Sequence, residues 1–158
     1  MSALRAAAAA LVVLGAGPLL MAAKAPPPVE QQLLDLTNDA RAGAGCPPLR
    51  LNADLSEAAA GHSADMAHRN FYDHTGSNGS EPANRTKAAG YPGDYIGENI
   101  AAGYDSIEVV FQKWMETTAH RDNILNCKFT DVGVGHAEVP GSRYGDYWTQ
   151  NLGRPTGR

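Results

Sequence analysis

The spacing of apolar residues changes once along this chain of 158 residues, shortly after Cys127. Before that point apolar side chains recur every three or four residues, as in Val29, Leu33 and Leu36. After it "TDVGVGHAEV" and "GDYWTQNLG" alternate with a period of two, and "VPGSRYG" between them carries the Pro and Gly of a hairpin turn. Helices followed by antiparallel strands predict an α+β fold in which helices pack on a small sheet.

The helical pattern also predicts where individual helices lie. A first helix begins at Val29 and ends at the glycines of "AGAGCPP", and a short helix covers 83–89. Two Asp-x-x-Glu sequences, Asp54–Glu57 and Asp105–Glu108, resemble capping boxes and predict two further helix starts. Trp114 completes the apolar stripe of the last of these helices, so we expect it in the core.

The first 25 residues have the layout of a secretory signal peptide. Arg5 precedes an apolar stretch, and Ala23-Lys24-Ala25 resembles a cleavage site. The alternative is a membrane anchor, but Gly15, Gly17 and Pro18 leave the apolar run shorter than the roughly 20 residues that a bilayer requires. We therefore expect residues 1–25 to be removed on export, residues 26–28 ("PPP") to form a stiff spacer, and the mature chain to carry no transmembrane segment.

Charge excludes two classes of partner. Without Arg5 and Lys24 the chain keeps 11 basic and 17 acidic residues, and no cluster of Lys and Arg is present. Nucleic acid and anionic membrane surfaces are therefore not expected partners.

The two cysteines, Cys46 and Cys127, form an isolated pair. In an exported protein such a pair is most simply a disulfide, whereas two buried free thiols are the alternative. The disulfide would close a loop of about 80 residues, for which chain entropy sets a ceiling of roughly 4–5 kcal/mol.

The five histidines separate into different kinds of site. His62 lies on the apolar stripe of its helix and is predicted to be a hydrogen-bonded core residue, while His68 on a polar helix end is expected to be solvated. His136 lies in a strand and could face the core or a cleft. His74 at a helix-to-loop transition and His120 at a helix junction are the functional candidates, because scaffolded loops carry most functional residues.

One carboxylate stands in an unusual setting. The segment "GENIAAGY", Gly97 to Tyr104, resembles a buried strand, yet it contains Glu98. An ionised carboxylate in apolar surroundings costs several kcal/mol unless it is paired or hydrogen-bonded. Glu98 therefore lies on an exposed edge, or the fold brings it a partner.

Five motifs in a fixed order resemble the CAP superfamily, which includes cysteine-rich secretory proteins, insect venom allergens and plant pathogenesis-related proteins. They are "LLDLTNDARAGAGCPPLRLNADLSEAAAGHSADMAHRNFYDHTG", "GENIAAG", "WMETTAHRDNILNC", "VGVG" and "YWTQNLG". "HRDNIL" and the cysteine pair are similar to the short bacterial branch. The resemblance implies a secreted, cysteine-bridged domain over residues 29–154, folded as a three-layer α-β-α sandwich with a central antiparallel sheet.

The resemblance also implies a shallow cleft in which two His and two Glu gather and often hold zinc. Carried over by motif, the candidates are His74, Glu98 and His120. The fourth position is open: the family's glutamate follows the helix Trp by three residues, where this chain has Thr117, and Glu116 comes one residue earlier. One helical position is about 100° of rotation, which can turn Glu116 away from the cleft.

Glu98 has a second interpretation, a purely structural carboxylate bonded to the loop that carries Tyr95 and Gly97. The expected cofactor is Zn2+ held weakly in an open site, and no catalytic residue is assigned.

Three functions follow from the resemblance and the residues. The first is a secreted, monomeric binding protein whose cleft takes a small apolar ligand, such as a lipid, or a cell-surface component. The second is an extracellular module that acts through its surface. The third is a zinc-assisted hydrolase in which Glu98 activates water.

Overall fold

Residues 28–157 are described by a computed structural model of the protein. The predicted signal peptide, residues 1–25, and residues 26–27 of the predicted spacer lie outside the described residues.

Helices dominate the first part of the described chain, and two long strands close it. The elements, in chain order, are α1 (Val29–Gly43), β1 (Arg50–Leu51), α2 (Ala53–Arg69), α3 (Pro82–Ala88), β2 (Tyr95–Ala102), α4 (Ile107–Glu116), α5 (Thr118–Ile124), β3 (Asp131–Glu138) and β4 (Asp146–Arg154).

The strands form one sheet in the order β1-β3-β4-β2. β4 pairs antiparallel with both β2 and β3, whereas the two-residue β1 pairs parallel with β3. α2 covers one face of the sheet, and α1, α4 and α5 lie together on the other. The α+β class and the three-layer α-β-α sandwich are therefore confirmed, with β1 making the sheet mixed at one edge.

The two predicted capping boxes, Asp54–Glu57 and Asp105–Glu108, are wrong by one or two residues. α2 is capped by Asn52, whose side chain accepts a hydrogen bond from the Leu55 N–H at 3.0 Å, and α4 has Ser106 at its N-cap position. Both residues have extended backbone, as an N-cap requires. The helix starts are thus set by where the preceding extended segment ends.

Valine and glycine alternate in β3, and the glycines let α2 lie directly on the sheet. A Cβ at Gly133 would overlap the backbone of Leu55, and a Cβ at Gly135 would overlap that of Ala59. Val132 and the other valine of "VGVG" point to the opposite face and are buried there. The predicted division of this strand into an apolar side and a small-residue side is confirmed.

Trp114 projects from α4 into the core between that helix and the sheet, as predicted. Only 1% of its surface is exposed, and its indole Nε1–H donates to the Ile100 carbonyl at 2.9 Å. It packs in one cluster with Leu33, Val110 and Val134.

The end of α1 is tied to the segment after α5 by two interactions. The predicted Cys46–Cys127 disulfide is present and joins residues 81 positions apart. Beside it the fully buried Arg41 directs all five guanidinium N–H groups at backbone carbonyls, and burial lowers its pKa. The acceptors, at 2.9–3.1 Å, are the carbonyls of Pro47, Ile124, Asn126 and Phe129.

The contact between α2 and β3 predicts opposite effects for two Gly→Ala substitutions. Gly135→Ala should lower the free energy of unfolding by at least about 2 kcal/mol, because the methyl group has to push a helix backbone off the sheet. Gly61→Ala, on α2 with open space around its Cβ, should raise it by about 0.5–1 kcal/mol. Urea unfolding of both variants measures the difference, and equal effects would contradict the close helix–sheet contact.

The Arg41 network predicts a large cost for a substitution that removes no surface charge pair. Arg41→Met should cost at least about 3 kcal/mol, because it removes five hydrogen bonds to inward-facing carbonyls, although the carbonyl of Asn126 still accepts from the Phe129 N–H at 3.2 Å. Arg69→Met is the matched control: Arg69 is exposed and pairs with Asp65 one turn away on α2 at 3.2 Å, so its loss should cost less than about 1 kcal/mol. Denaturant unfolding with the disulfide intact compares them, and similar midpoints would show that the network adds little stability.

Candidate functional site

β2 is an edge strand, and side chains from other elements cover its free edge. The Ile100 carbonyl accepts hydrogen bonds from the Tyr72 hydroxyl and the Trp114 indole, both at 2.9 Å. The Glu98 carbonyl accepts from Asn123 Nδ2 at 3.2 Å. These donors occupy backbone acceptors that an uncovered edge would present to another strand.

Position 97 of β2 has room only for glycine, because Phe129 and Asn123 pack closely against this side of the strand. A Cβ there would lie 2.8 Å from the Phe129 ring and 3.1 Å from Asn123 Oδ1. Because successive side chains of a strand alternate, this places Glu98 on the other face, which α2 covers.

The Glu98 carboxylate is buried, with 2% of its side chain exposed, and its partners come from several elements. His74 Nδ1 lies 2.8 Å from Oε1, and Arg85 Nη2 donates to Oε2 at 2.7 Å. With its amide turned so that both ends are satisfied, Asn151 donates to Oε2 at 3.1 Å and accepts from the Ala59 N–H at 3.2 Å. Glu98 is thus both on an edge strand and paired, and Arg85 is its cation.

His62 packs beside this carboxylate as a neutral ring. Its Nε2–H donates to the Asp73 carbonyl at 2.9 Å, and the same nitrogen lies 3.9 Å from Glu98 Oε1. Burial lowers the pKa of His62 more than the nearby Glu98 raises it. The prediction of a hydrogen-bonded core histidine is confirmed.

His74 and His120 have opposite electrostatic surroundings. The hydrogen bond to Glu98 raises the pKa of His74, whose side chain is about half exposed. Burial lowers the pKa of His120, and the charge of His74 lowers it further. The His120 backbone is fixed by Asn99, which donates to its carbonyl at 3.2 Å. The structure therefore brings His74 onto Glu98 and holds His120 nearby.

Glu116 is directed elsewhere. Its exposed carboxylate accepts from Lys113 Nζ at 2.8 Å and from Gln112 Nε2 at 2.9 Å, one turn back along α4. Thr117, at the position where the family has glutamate, directs its hydroxyl to the Lys113 carbonyl at 3.1 Å. The one-residue offset thus leaves this carboxylate with partners on its own helix.

Sequence reasoning missed Arg85 and Asn151. The signal in the sequence was Glu98 in an apolar strand, since a buried carboxylate needs a cation and further hydrogen-bond donors. The sequence contains several basic residues before β2, and only the packing of α3 selects Arg85.

The residues fit an imidazole metal site better than a carboxylate one. Within residues 28–157 no group of three or more His, Cys, Asp and Glu is arranged to hold a metal ion. Both oxygens of Glu98 accept hydrogen bonds, and His74 directs Nδ1 at that carboxylate, which leaves Nε2 of His74 for a ligand. A carboxylate behind a ligating imidazole is the usual outer-shell arrangement of zinc sites.

A groove of about 330 Å³ runs along the free edge of β2, with His120 among its lining residues. Its floor is formed by Ile100 and the two alanines that follow it, and Trp114 borders it from the core. The remaining walls carry aromatic and polar side chains, namely Tyr72, Tyr104, Tyr144, Lys113, Glu116 and Thr117.

His136, whose environment the sequence left open, lies outside this groove. Its Nε2 is 2.8 Å from Asp146 Oδ1, and its ring stacks on Trp148 with the centroids 3.7 Å apart.

Among residues 28–157, no helix combines the length and the apolar character needed to cross a bilayer.

Comparisons with known proteins give one family. The sequence profile of the cysteine-rich secretory protein family, CAP, matches residues 34–152. The chain is 38% identical over 123 residues to the protein YkwD of Bacillus subtilis (strain 168), covering 78% of this chain and 46% of YkwD. It is 32% identical to the membrane protein YlbC of the same organism, of which it covers 34%. The chain thus spans half or less of the length of these relatives.

Solved structures agree with this assignment. An extracellular protein containing an SCP domain from Bacillus anthracis superposes with a TM-score of 0.71 at 32% identity, over 80% of this chain and 40% of that one. An outer surface protein of Borrelia burgdorferi shares the fold, with a TM-score of 0.73 at 16% identity over 80% of this chain and 92% of that one. The chain belongs to the cysteine-rich secretory protein (CAP) family.

Proposed function

We propose that this CAP protein is an exported binding protein whose groove along β2 takes a small ligand with an apolar face or a component of an extracellular surface. The observation that carries the proposal is the groove itself, which combines aromatic and polar side chains and has the candidate residue His120 in its lining. Concave sites with an apolar lining and a few placed polar groups are the usual form of ligand sites.

The groove is held in shape before any ligand arrives. Tyr72 in the wall of the groove and Trp114 at its core side both donate a hydrogen bond to the carbonyl of Ile100 in the floor. These two bonds fix the side chains relative to β2. A preformed site loses less conformational entropy on binding than a site that must be ordered. This rigidity supports recognition as the function of the groove.

Export is supported by three observations. The predicted signal peptide precedes the domain, a disulfide is typical of oxidising compartments, and two proteins with this fold are described as extracellular or outer surface proteins. The ligand is therefore expected to be met outside the cytoplasm.

Zinc is proposed as a weak second ligand, held by His74 and His120 with Glu98 behind His74. Zinc that activates water usually has three protein ligands. Two imidazoles support reversible binding better than hydrolysis, and for this reason binding is preferred over the hydrolase interpretation.

This arrangement predicts weak zinc binding that depends on pH. We expect micromolar or weaker affinity, which His74→Ala or His120→Ala abolishes and His68→Ala, at an exposed end of α2, leaves unchanged. Protons should compete at His74 above the ordinary imidazole pKa of about 6.5, because Glu98 raises the pKa of that ring. Affinity should therefore already fall as the pH drops below neutrality. Calorimetric titration tests this, and zinc binding that survives the loss of both rings would contradict it.

The proposed function predicts that a substitution filling the groove removes the ligand. Protein recovered from the exporting cells under gentle conditions should carry a small molecule in native mass spectra or bind isolated cell envelopes. Thr117→Trp, which places an indole in the groove, should weaken that binding at least about tenfold, a loss of about 1.4 kcal/mol. Asp39→Trp, on the exposed face of α1, is the matched control and should bind normally.

Equal binding by wild type and Thr117→Trp would place the interaction elsewhere on the surface and favour the surface-module interpretation. Absence of both a retained molecule and envelope binding in the wild type would contradict the proposed function.

A further inference from the structure

We infer that the groove along β2 recognises a neutral saccharide, through stacking on Tyr72 and Tyr144 and hydrogen bonds to the polar rim. The inference rests on the proposed function and names the chemical class of its ligand.

Two exposed tyrosine rings form a fixed aromatic surface in the groove. Tyr72 and Tyr144 are 43% and 37% exposed, and their ring centroids lie 6.1 Å apart at an angle of 65°. Tyr72 is anchored by its hydroxyl to the Ile100 carbonyl. Tyr144 packs edge-on against the fully buried Tyr147, with centroids 5.8 Å apart. Large aromatic faces left in solvent and held rigid are suited to contact an apolar ligand face with little entropic cost.

The charges of the groove favour a neutral ligand. Its two charged lining residues, Lys113 and Glu116, bind each other at 2.8 Å. A cationic ligand is further disfavoured by Arg143, whose guanidinium already lies 5.2 Å from the centroid of Tyr144.

The rim is unsuited to an acyl chain. An acyl chain laid along the groove would strip water from the Lys113–Glu116 ion pair and from the His120 ring without offering either a hydrogen bond, and desolvation of charged and polar groups is costly. A sugar ring has an apolar C–H face that can stack on tyrosine, and hydroxyls at its edge that both donate and accept. That combination matches an aromatic wall beside a mixed polar rim.

Binding of defined soluble sugars tests the inference. The probes are the tetrasaccharides of β-1,4-linked glucose, β-1,4-linked N-acetylglucosamine and β-1,4-linked mannose, titrated into the full-length mature protein by calorimetry. At least one should bind, and Tyr144→Ala should weaken it about tenfold, the upper range for loss of an aromatic contact. Tyr95→Ala is the matched control, since Tyr95 is also 37% exposed and does not line the groove.

Thermal melts guard against an effect of misfolding. If wild type, Tyr144→Ala and Tyr95→Ala melt at similar temperatures, a loss of affinity confined to Tyr144→Ala reports the lost ring and not a lost fold. Cosedimentation with insoluble cellulose, chitin or mannan then separates a surface polymer from a free oligosaccharide as the source of the sugar.

Failure of the inference and failure of the proposed function give different results. Dodecanoate binding that Thr117→Trp abolishes, with none of the three sugars bound, would overturn the saccharide inference and uphold the groove as a ligand site. Sugar binding that Tyr144→Ala leaves unchanged would also overturn it. A groove that binds no sugar, no dodecanoate and no retained molecule would overturn both.

Discussion

The buried carboxylate of Glu98 is the interaction on which the geometry of the cleft depends. Its partners come from separate parts of the chain: Arg85 from α3, His74 from the loop after α2, and Asn151 from β4. Loss of one partner leaves a charge in a site with little water, which costs far more than loss of a surface pair. The hydrogen bonds of His74 and Arg85 to Glu98 therefore help to hold the loop and α3 against the sheet.

The groove and the Glu98 site both depend on the position of β2 at the edge of the sheet. β2 lies at the edge of the sheet, so its outer carbonyls are available to Tyr72, Trp114 and Asn123. The same position leaves room beside Ile100 for a groove that an inner strand would not have. One edge strand thus supplies a buried anchor at Glu98 and an open surface two residues later.

Much of the fold could be predicted because it follows from patterns within single segments. The α+β class, the buried position of Trp114, the two sides of β3 and the cysteine pair all derive from spacing, export and motif order. The helix starts of α2 and α4 were predicted to within two residues, but their cap residues could not be predicted, since Asn52 becomes a cap only where β1 ends. Arg85 could not be predicted either, because its contact with Glu98 depends on how the short α3 packs.

The candidate site, too, could be predicted only in part. Motif order identified His74, Glu98 and His120, and the structure brings the first two into contact. The orientation of Glu116 depended on a single helical position and on the competing partners Lys113 and Gln112, which motif order does not contain.

The position of Arg41 has a consequence for how the chain matures. Its guanidinium bonds to Pro47 on one side and to Ile124 and Asn126 on the other, so it joins the neighbours of both cysteines without any covalent link. A chain whose cysteines are still reduced can therefore align its two thiols by folding, before an oxidant acts. Alignment of this kind raises the local concentration of each thiol around its partner and favours closure within one molecule over disulfide-linked dimers.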